Sequence, residues 1–155
     1  MNISWQIKHF QELNTIELYD LLALRAEVFV VEQNCAYQDL DGKDKKSYHL
    51  IGRDGFGTIV CTARILPQHL SYPQVSIGRV VIHPTQRGSG IGHELMYFVL
   101  NFIKDEFGKD EPITISAQKH LEKFYNYHKF ITISEEYLED DIPHIKMQFN
   151  PKFSS

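Results

Sequence analysis

The chain has 155 residues, of which 43% are hydrophobic and 23% are charged, a balance typical of one globular domain with a sizeable core. We therefore expect a single domain over residues 1–155. No apolar run reaches the roughly 20 residues that a membrane span requires. The opening segment MNISWQIKHF lacks the basic-then-apolar order of a secretory signal, so we expect a cytoplasmic protein that does not act at a membrane. The net charge of −4 argues against general nucleic-acid binding.

Cysteine and histidine spacing indicates neither disulfides nor a metal. Cys35 and Cys61 are the two cysteines of the chain, which are too few for a disulfide framework and are not spaced like zinc ligands. The eight histidines show no HExxH spacing. We expect two free thiols, buried or nearly so, and no dedicated metal site.

Hydrophobic periodicity predicts seven strands and three helices along the chain. Asn14 followed by Glu17 resembles a capping box that opens the first helix, and Gly108 suits the position just after the second. Polar residues at 33–47 and acidic residues at 135–143 predict loops. The strands are expected at residues 5–8, 48–53, 58–65, 75–82, 113–117, 130–134 and 145–149, and the helices at residues 15–29, 93–107 and 120–128.

This order, β-α-β-β-β-α-β-α-β-β, predicts an α/β fold with one mixed central sheet and helices on both of its faces. Asp54-Gly55 between two strands is a hairpin signal. Gly78 interrupts the fourth strand, which predicts a bulge or a close approach by another backbone or by a ligand.

Three glycines crowd the junction between the fourth strand and the second helix, in the segment RGSGIG at residues 87–92. The first turn of a helix has unsatisfied N–H groups and carries roughly half a positive charge. Glycines let the preceding amides form a concave nest, and Arg87 could add a charge-assisted contact. The junction therefore predicts a site for a pyrophosphate or a similar group. The alternative is a tight turn whose glycines only satisfy positive φ angles.

Two common phosphate-binding motifs match poorly. A P-loop ends in Lys-Ser or Lys-Thr, where this chain has His93-Glu94. The Rossmann fingerprint needs its third glycine one residue later than Gly92, and it normally lies in the first βαβ unit. A nucleotide-binding oxidoreductase is therefore a distant alternative.

The segment 87–92 does match [Q/R]-x-x-G-x-[G/A], the acyl-CoA pyrophosphate motif of the GNAT N-acetyltransferase superfamily. It resembles that family in position also, since it follows a central strand that ends in VVIHP at residues 80–84. Downstream, FYNYHKF at 124–130 resembles the F-Y-x-x-x-G-F segment of the family. Four further segments resemble the ElaA-like branch: LRAEVFVVEQNC at 24–35, YQDLDG at 37–42, AQKHL at 117–121 and IPHI at 142–145.

The resemblance implies a GNAT-like sheet whose two central strands splay apart around an acyl-CoA cleft, with acetyl-CoA as cosubstrate. It implies that an amide near Val80 polarises the thioester carbonyl, that Gly78 helps create the bulge, and that Tyr125 acts as general acid for the leaving thiolate. Taken without the resemblance, Tyr125 is a helix residue with a packed ring and a solvated hydroxyl. The implied cofactor-binding residues are Val80, Val81, Ile82, Arg87, Gly88, Ser89, Gly90, Ile91, Gly92, Gln118 and Tyr125.

Two positions depart from the family pattern. Gln118 falls where many relatives carry an asparagine that bonds the pantetheine or an ordered water. Lys129 replaces the glycine before Phe130, which predicts either a strained left-handed residue or a different end to the helix.

The general base stays open among four residues, or a water relay among them, and the same four are candidates for substrate binding: Glu32, His120, Glu136 and His144. The acidic segment 135–141 is either a solvated loop or an attractor for a cationic amine. Arg25 either pairs with a nearby carboxylate, or the segment 29–41 that follows it walls the acceptor pocket.

The function implied is acetyl-CoA-dependent N-acetyl transfer to a primary amine of a small molecule or a peptide, by a monomer or a homodimer. Two alternatives remain. One is an enzyme like the acyl-homoserine-lactone synthases, which resemble this chain around Arg25, Phe29 and Asp39. The other is a non-catalytic domain that binds or senses acyl-CoA.

Overall fold

The structure, a computed structural model, describes residues 2–152. These residues form eight strands and three α-helices. Seven of the strands and the three helices follow the predicted order, and the remaining short strand was not predicted. The elements are β1 Ser4–His9, α1 Thr15–Arg25, β2 Tyr48–Arg53, β3 Ile59–Leu66, β4 Ser76–Ile82, α2 Ile91–Phe107, β5 Ile113–Gln118, α3 Glu122–Tyr127, β6 Ile131–Thr132, β7 Tyr137–Glu139 and β8 Ile142–Phe149.

The first helix begins at the predicted capping box. Asn14 Oδ1 accepts a hydrogen bond from the Glu17 amide at 2.7 Å, and Glu17 Oε1 accepts one from the Asn14 amide at 3.1 Å. The sequence predicted that this helix ends near residue 29. Instead, the helical path continues beyond Arg25 as a π-helical segment, Ala26–Glu32. Such wide turns are uncommon and are often found at functional sites.

Two antiparallel sheets meet in the middle of the molecule. One has the strand order β1-β2-β3-β4, and the other has the order β5-β8-β6 with β7 also paired to β8. A single parallel bridge between Val75 and Ile113 joins them, with the Thr114 amide donating to the Val75 carbonyl at 3.0 Å. The array is therefore mixed, as predicted. Since β4 and β5 belong to different sheets, they separate on one side of this bridge.

A bulge interrupts β4 next to the predicted position. Gly78 pairs with Arg64 and Val81 pairs with Thr62, so that two residues of β4, Arg79 and Val80, oppose a single residue of β3. Arg79, rather than Gly78, takes the left-handed conformation, with φ +49°. A bulge leaves one residue outside the ladder, which frees backbone groups of β4 beside the opening.

Helices cover both faces of the first sheet. Val81 packs with Leu24 and Val28, which belong to α1 and the π-helical segment. Its neighbours Val80 and Ile82 pack instead against the main core, to which α2 contributes buried side chains such as Leu95. Because adjacent residues of a strand point to opposite faces, the two clusters lie on opposite sides of β4.

The acidic segment predicted as a loop contains β7, and this part of the prediction was wrong. Asp140 and Asp141 have φ angles of +51° and +62° and join β7 to β8 where Glu139 pairs with Ile142. This is the geometry of a two-residue type I′ turn. The sequence contains little signal for this hairpin, because Asp-Asp is a weaker turn signal than Asn-Gly and because β7 has only three residues. The central residue of β7, Leu138, is 68% exposed and so contributes no buried apolar position.

None of the helices in residues 2–152 combines the length and the hydropathy that a membrane span requires. Cys35 and Cys61 are free thiols; Cys61 is buried and Cys35 is half-buried.

Candidate active site

A cleft of about 1330 Å³ opens where β4 and β5 separate. Most of the predicted site residues line it: Glu32, Val80, Val81, Ile82, Arg87, Gly88, Gly90, Ile91, Gly92, Gln118, His120, Tyr125 and His144. Ser89 and Glu136 are not brought to this lining. Ser89 is exposed, and its hydroxyl donates to the Gln86 carbonyl at 3.2 Å. Glu136 is exposed on the segment before β7.

Gly88 and Gly90 shape the loop that leads into the N-terminus of α2, a region called the helix mouth below, through their backbone conformation. Their φ angles are +88° and +80°, and a Cβ at either position would meet nothing within 4 Å. Gly90 is the N-cap of α2 and has no side-chain cap. The first amides of the helix therefore lack the side-chain partner that a serine or an aspartate would supply, which leaves them available to an anion.

Gly92 serves a different purpose from the two glycines before it. A Cβ at this position would lie 3.2 Å from Phe124 Cε1 and 3.3 Å from Ile82 Cδ1. The absence of a side chain lets α2 pack closely against both α3 and β4. The positive φ angles of Gly88 and Gly90 and the close packing at Gly92 together account for the three glycines. These two features place the helix mouth beside the cleft.

Arg87 is already held by neighbouring groups. Its Nε donates to the Ile82 carbonyl at 2.9 Å, and its two terminal nitrogens donate to the two oxygens of Glu32, each at 2.7 Å. The hydrogen bonds from Arg87 lower the pKa of the Glu32 carboxyl below its ordinary value. Glu32 is thus a bound anion at neutral pH, which makes it a poor proton acceptor.

Tyr125 is 7% exposed and lies on α3 between Phe124 and Phe130, whose ring centroids are 5.1 and 5.8 Å away. Burial raises the pKa of its phenol to about 12, because a phenolate would lose its hydration there. The hydroxyl therefore keeps its proton at neutral pH.

Two alternatives were predicted at Lys129, a strained left-handed residue or a different end to the helix, and the structure shows the first. Lys129 has a φ angle of +71°. The Phe130 amide donates to the Tyr125 carbonyl at 3.1 Å, and the Lys129 amide donates to the Asn126 carbonyl at 2.9 Å. These two bonds form a Schellman motif. The helix end that carries Tyr125 is therefore formed without the glycine.

Gln118 ends β5 opposite His144 of β8. Its amide nitrogen lies 3.5 Å from Gln33 Oε1, on the residue that follows the π-helical segment. This contact links the two walls of the cleft.

A buried cluster of ions lies next to the cleft lining. Arg25 is 1% exposed; its Nε lies 2.9 Å from Asp39 Oδ2, and its Nη1 lies 2.7 Å from Asp44 Oδ1. Arg25 therefore pairs with carboxylates, as one of the two alternatives predicted. Residues of the segment 29–41 also line the cleft, and the second alternative, that this segment walls the acceptor pocket, stays a prediction.

Two further arginines of the cluster lie on the cleft lining and were missed by the sequence analysis. Arg64 binds both oxygens of Asp41, at 2.8 and 3.0 Å, and Arg79 Nε lies 2.7 Å from Asp39 Oδ1. Burial opposes the ionisation of Asp41, but hydrogen bonds from Arg64 and from the Lys43 amide outweigh it and lower the pKa to about 2. The position of Arg79 next to Gly78 was the available signal.

The opposite wall carries a histidine and a carboxylate. His144, 7% exposed, places Nε2 3.4 Å from Glu139 Oε2. Glu139 Oε1 lies 3.2 Å from the Ser116 hydroxyl. Glu139 belongs to the acidic segment 135–141, which the sequence offered either as a solvated loop or as an attractor for a cationic amine, and it is brought to the cleft lining. It was not singled out as a site residue because its strand, β7, was not predicted.

Comparison with known proteins agrees with this architecture. Residues 16–151 match the family model described as an acetyltransferase (GNAT) domain. A UPF0039 protein of Schizosaccharomyces pombe is 40% identical over 147 residues, which are 95% of this chain and 97% of that protein. Protein ElaA of Escherichia coli is 43% identical over 94% of this chain and 95% of its own length.

Two crystal structures superpose closely, each with a TM-score of 0.90. One is an acyl-CoA N-acyltransferase from Pseudomonas aeruginosa, 43% identical over 96% of this chain and 99% of that one. The other is E. coli ElaA, 41% identical over 96% of this chain and all of that one. The fold and the cleft define a GNAT acyltransferase, and the chain belongs to the GNAT acetyltransferase family. Within that family it lies in the ElaA-like branch.

Proposed function

We propose that this protein is an acetyl-CoA-dependent N-acetyltransferase that acts on a primary amine of a small molecule or a peptide. The observation that carries the proposal is the convergence on one cleft of an uncapped helix mouth, a bulged strand and a buried, protonated tyrosine. We propose that it works as a single domain. The free thiols of Cys35 and Cys61 suit a reducing compartment such as the cytoplasm.

The lining residues fit coenzyme A as a substrate. The amides around Gly88 and Gly90 would bind the diphosphate, because they lack side-chain caps and lie at the positive end of α2. The backbone of β4 from Val80 to Ile82 would hydrogen-bond the pantetheine, because the bulge at Arg79 interrupts its ladder with β3. An amide near Val80 would polarise the thioester carbonyl.

The chemistry proposed is direct transfer. A neutral amine attacks the thioester carbonyl carbon, the C–N bond forms and the C–S bond breaks. Tyr125 gives its proton to the leaving thiolate and regains one from the new amide nitrogen. The burial that keeps Tyr125 protonated also disfavours a bare thiolate beside it, which strengthens the demand for that proton.

The proposal is tested in two steps. Calorimetry should give tight binding of acetyl-CoA and CoA but not of NAD. Thiol release is then measured with acetyl-CoA and a panel of polyamines, amino acids, aminoglycosides and peptides, and we expect turnover with at least one amine. Tight binding with no thiol release from any amine would favour the acyl-CoA sensor instead. An acyl-homoserine lactone found in an extract of cells that produce the protein would favour the synthase alternative.

A further inference from the structure

The His144 ring has a defined proton arrangement. Its Nδ1 lies 2.7 Å from the Ile142 carbonyl oxygen. An acceptor oxygen at that distance requires the proton on Nδ1, because otherwise two lone pairs would face each other. In the neutral ring Nε2 is then an acceptor. The ring also stacks on Tyr137 of β7, with centroids 6.2 Å apart and planes 23° apart, which fixes its orientation.

Glu139 is held so that one of its oxygens faces this nitrogen. Its Oε1 accepts from the Ser116 hydroxyl at 3.2 Å, and Ser116 Oγ lies 2.6 Å from the Tyr137 hydroxyl. Its Oε2 lies 3.4 Å from His144 Nε2. When the ring is neutral, two acceptors therefore face each other in the cleft, and within residues 2–152 no other donor hydrogen-bonds to Nε2 or to Oε2. A group with several N–H bonds and a positive charge would satisfy both.

A primary ammonium has these properties, and it is the protonated form of the acceptor in the proposed function. On that basis we propose that Glu139 and His144 form the site that receives the acceptor amine, with His144 as the general base. Glu139 binds and orients the ammonium, and Nε2 takes one proton from it. The imidazolium that results is then paired with Glu139 and with the Ile142 carbonyl.

The other candidates for the base fit less well. Glu32 is bound by Arg87 through both of its oxygens. Glu136 lies outside the cleft lining. His120 is exposed on the 3₁₀ turn Lys119–Leu121, whereas His144 is buried and faces a carboxylate.

The proton balance closes over one turnover. The acceptor enters as R–NH₃⁺ and loses one proton to His144, which leaves R–NH₂ as the nucleophile. The proton shed by the new amide nitrogen restores Tyr125, which has protonated the thiolate. His144 returns its proton to solvent, so that each cycle yields the amide, free CoA and one proton.

The test uses two variants of the full chain and one matched control. His144→Asn keeps a donor for the Ile142 carbonyl and removes Nε2, and Glu139→Gln keeps an acceptor for Ser116 and removes the charge. Glu136→Gln removes a nearby carboxylate outside the cleft. Calorimetry with acetyl-CoA shows that each variant is folded and binds the cosubstrate, and the steady state is measured with the best amine of the panel.

At pH 7 we expect His144→Asn to lower kcat by about 100-fold, at the lower end of the usual contribution of general-base catalysis. Glu139→Gln should raise the KM of the amine by about tenfold and leave that of acetyl-CoA unchanged; a tenfold change corresponds to ~1.4 kcal/mol. Glu136→Gln should behave as the wild type. The deficit of His144→Asn should shrink as the pH rises, because solvent then supplies the free amine.

The proposal falls if His144→Asn retains kcat within threefold of the wild type, or if its deficit is constant with pH. It falls also if Glu139→Gln leaves the KM of the amine unchanged. In these cases the wild type still turns over and the proposed function stands. A wild type that releases no thiol with any amine overturns both proposals, which separates the two failures. The titratable groups that the structure places against His144 are Glu139 and Tyr137.

Discussion

Both carboxylate oxygens of Glu32 accept hydrogen bonds from the terminal nitrogens of Arg87, each at 2.7 Å. The pair joins the end of the π-helical segment to the loop before α2, so that the charge of Arg87 is neutralised next to the helix mouth. Both side chains are about 40% exposed, and the pair is therefore sensitive to salt.

Glu32→Gln should tighten the binding of acetyl-CoA because it leaves Arg87 with an uncompensated positive charge near the diphosphate. We expect the Kd to fall by about threefold to tenfold at low salt, a range typical of one partly screened charge, and this gain to fade at high salt. Calorimetry at two ionic strengths measures it. Glu27→Gln is the control, since Glu27 lies on the same segment outside the cleft lining. An unchanged or weaker affinity would show that Glu32 positions Arg87 instead of masking it.

Tyr125→Phe should reduce kcat by about 100-fold while the KM of acetyl-CoA changes little, because the ring stays in place and only the proton donor is lost. The matched control is Tyr127→Phe, on the same helix but 72% exposed. Thiol release under saturating substrates gives both constants. Unaltered turnover in Tyr125→Phe would remove the assignment of the general acid.

Gly90→Ala should weaken acetyl-CoA binding and destabilise the fold, because an alanine at a φ angle of +80° is strained by roughly 1–2 kcal/mol. Gly57→Ala provides the comparison. Gly57 has a φ angle of +82° and open space around its Cα, and it lies in the β2–β3 hairpin away from the cleft. Both variants should lose similar stability in urea, but only Gly90→Ala should lose affinity. Equal affinities would mean that the helix mouth does not bind the coenzyme.

Lys129→Gly should stabilise the protein by about 1 kcal/mol, since glycine adopts the φ angle of +71° without a Cβ clash. For a chain of this size the expected rise in Tm is about 2–4 °C. Lys123→Gly, inside α3, should do the opposite and destabilise by about 1 kcal/mol. Thermal unfolding of both variants measures the two effects, and a Tm for Lys129→Gly at or below the wild type would contradict the strain.

Arg25→Met should destabilise the protein by about 3–5 kcal/mol, because it leaves Asp39 and Asp44 buried without their partner. Lys119→Met breaks an exposed ion pair with Glu122 and should change stability far less, because solvent screens that pair. Urea unfolding at pH 7 compares them. If the two variants lost equal stability, the buried cluster would contribute no more than a surface pair.

The same cluster should make the protein sensitive to acid. Burial opposes the ionisation of Asp41 and Asp44, but arginine hydrogen bonds outweigh it, so that both pKa values lie below the ordinary 3.8, that of Asp41 at about 2. A lowered folded-state pKa contributes stability that is present above the unfolded value and is lost as the pH falls through the folded one. Stability should therefore fall between about pH 4 and pH 2. A flat urea midpoint across this range would contradict the pKa shifts.

The sequence alone determined most elements of the fold and the place of the glycine-rich loop at residues 87–92. The capping box at Asn14, the glycine at 108 and the segment 87–92 are local signals, whose physical causes lie within a few residues of chain. For that reason α1 begins after Asn14 and α2 ends before Gly108, as the sequence predicts. The loop at residues 87–92 likewise leads into the N-terminus of α2 as predicted. The weak edge strand β7 gave no such signal, because pairing with β8 alone defines it.

Tertiary structure decided the chemistry around that loop. Glu32 and Arg87 are 55 residues apart, and Arg25 meets Asp39 and Asp44 across 14 and 19 residues. Ion pairs and facing acceptors depend on distances of a few ångströms between separate elements, which spacing along the chain does not encode. The sequence could therefore name His144 among four candidates, but only the packing of β7 against β8 brought Glu139 to its side.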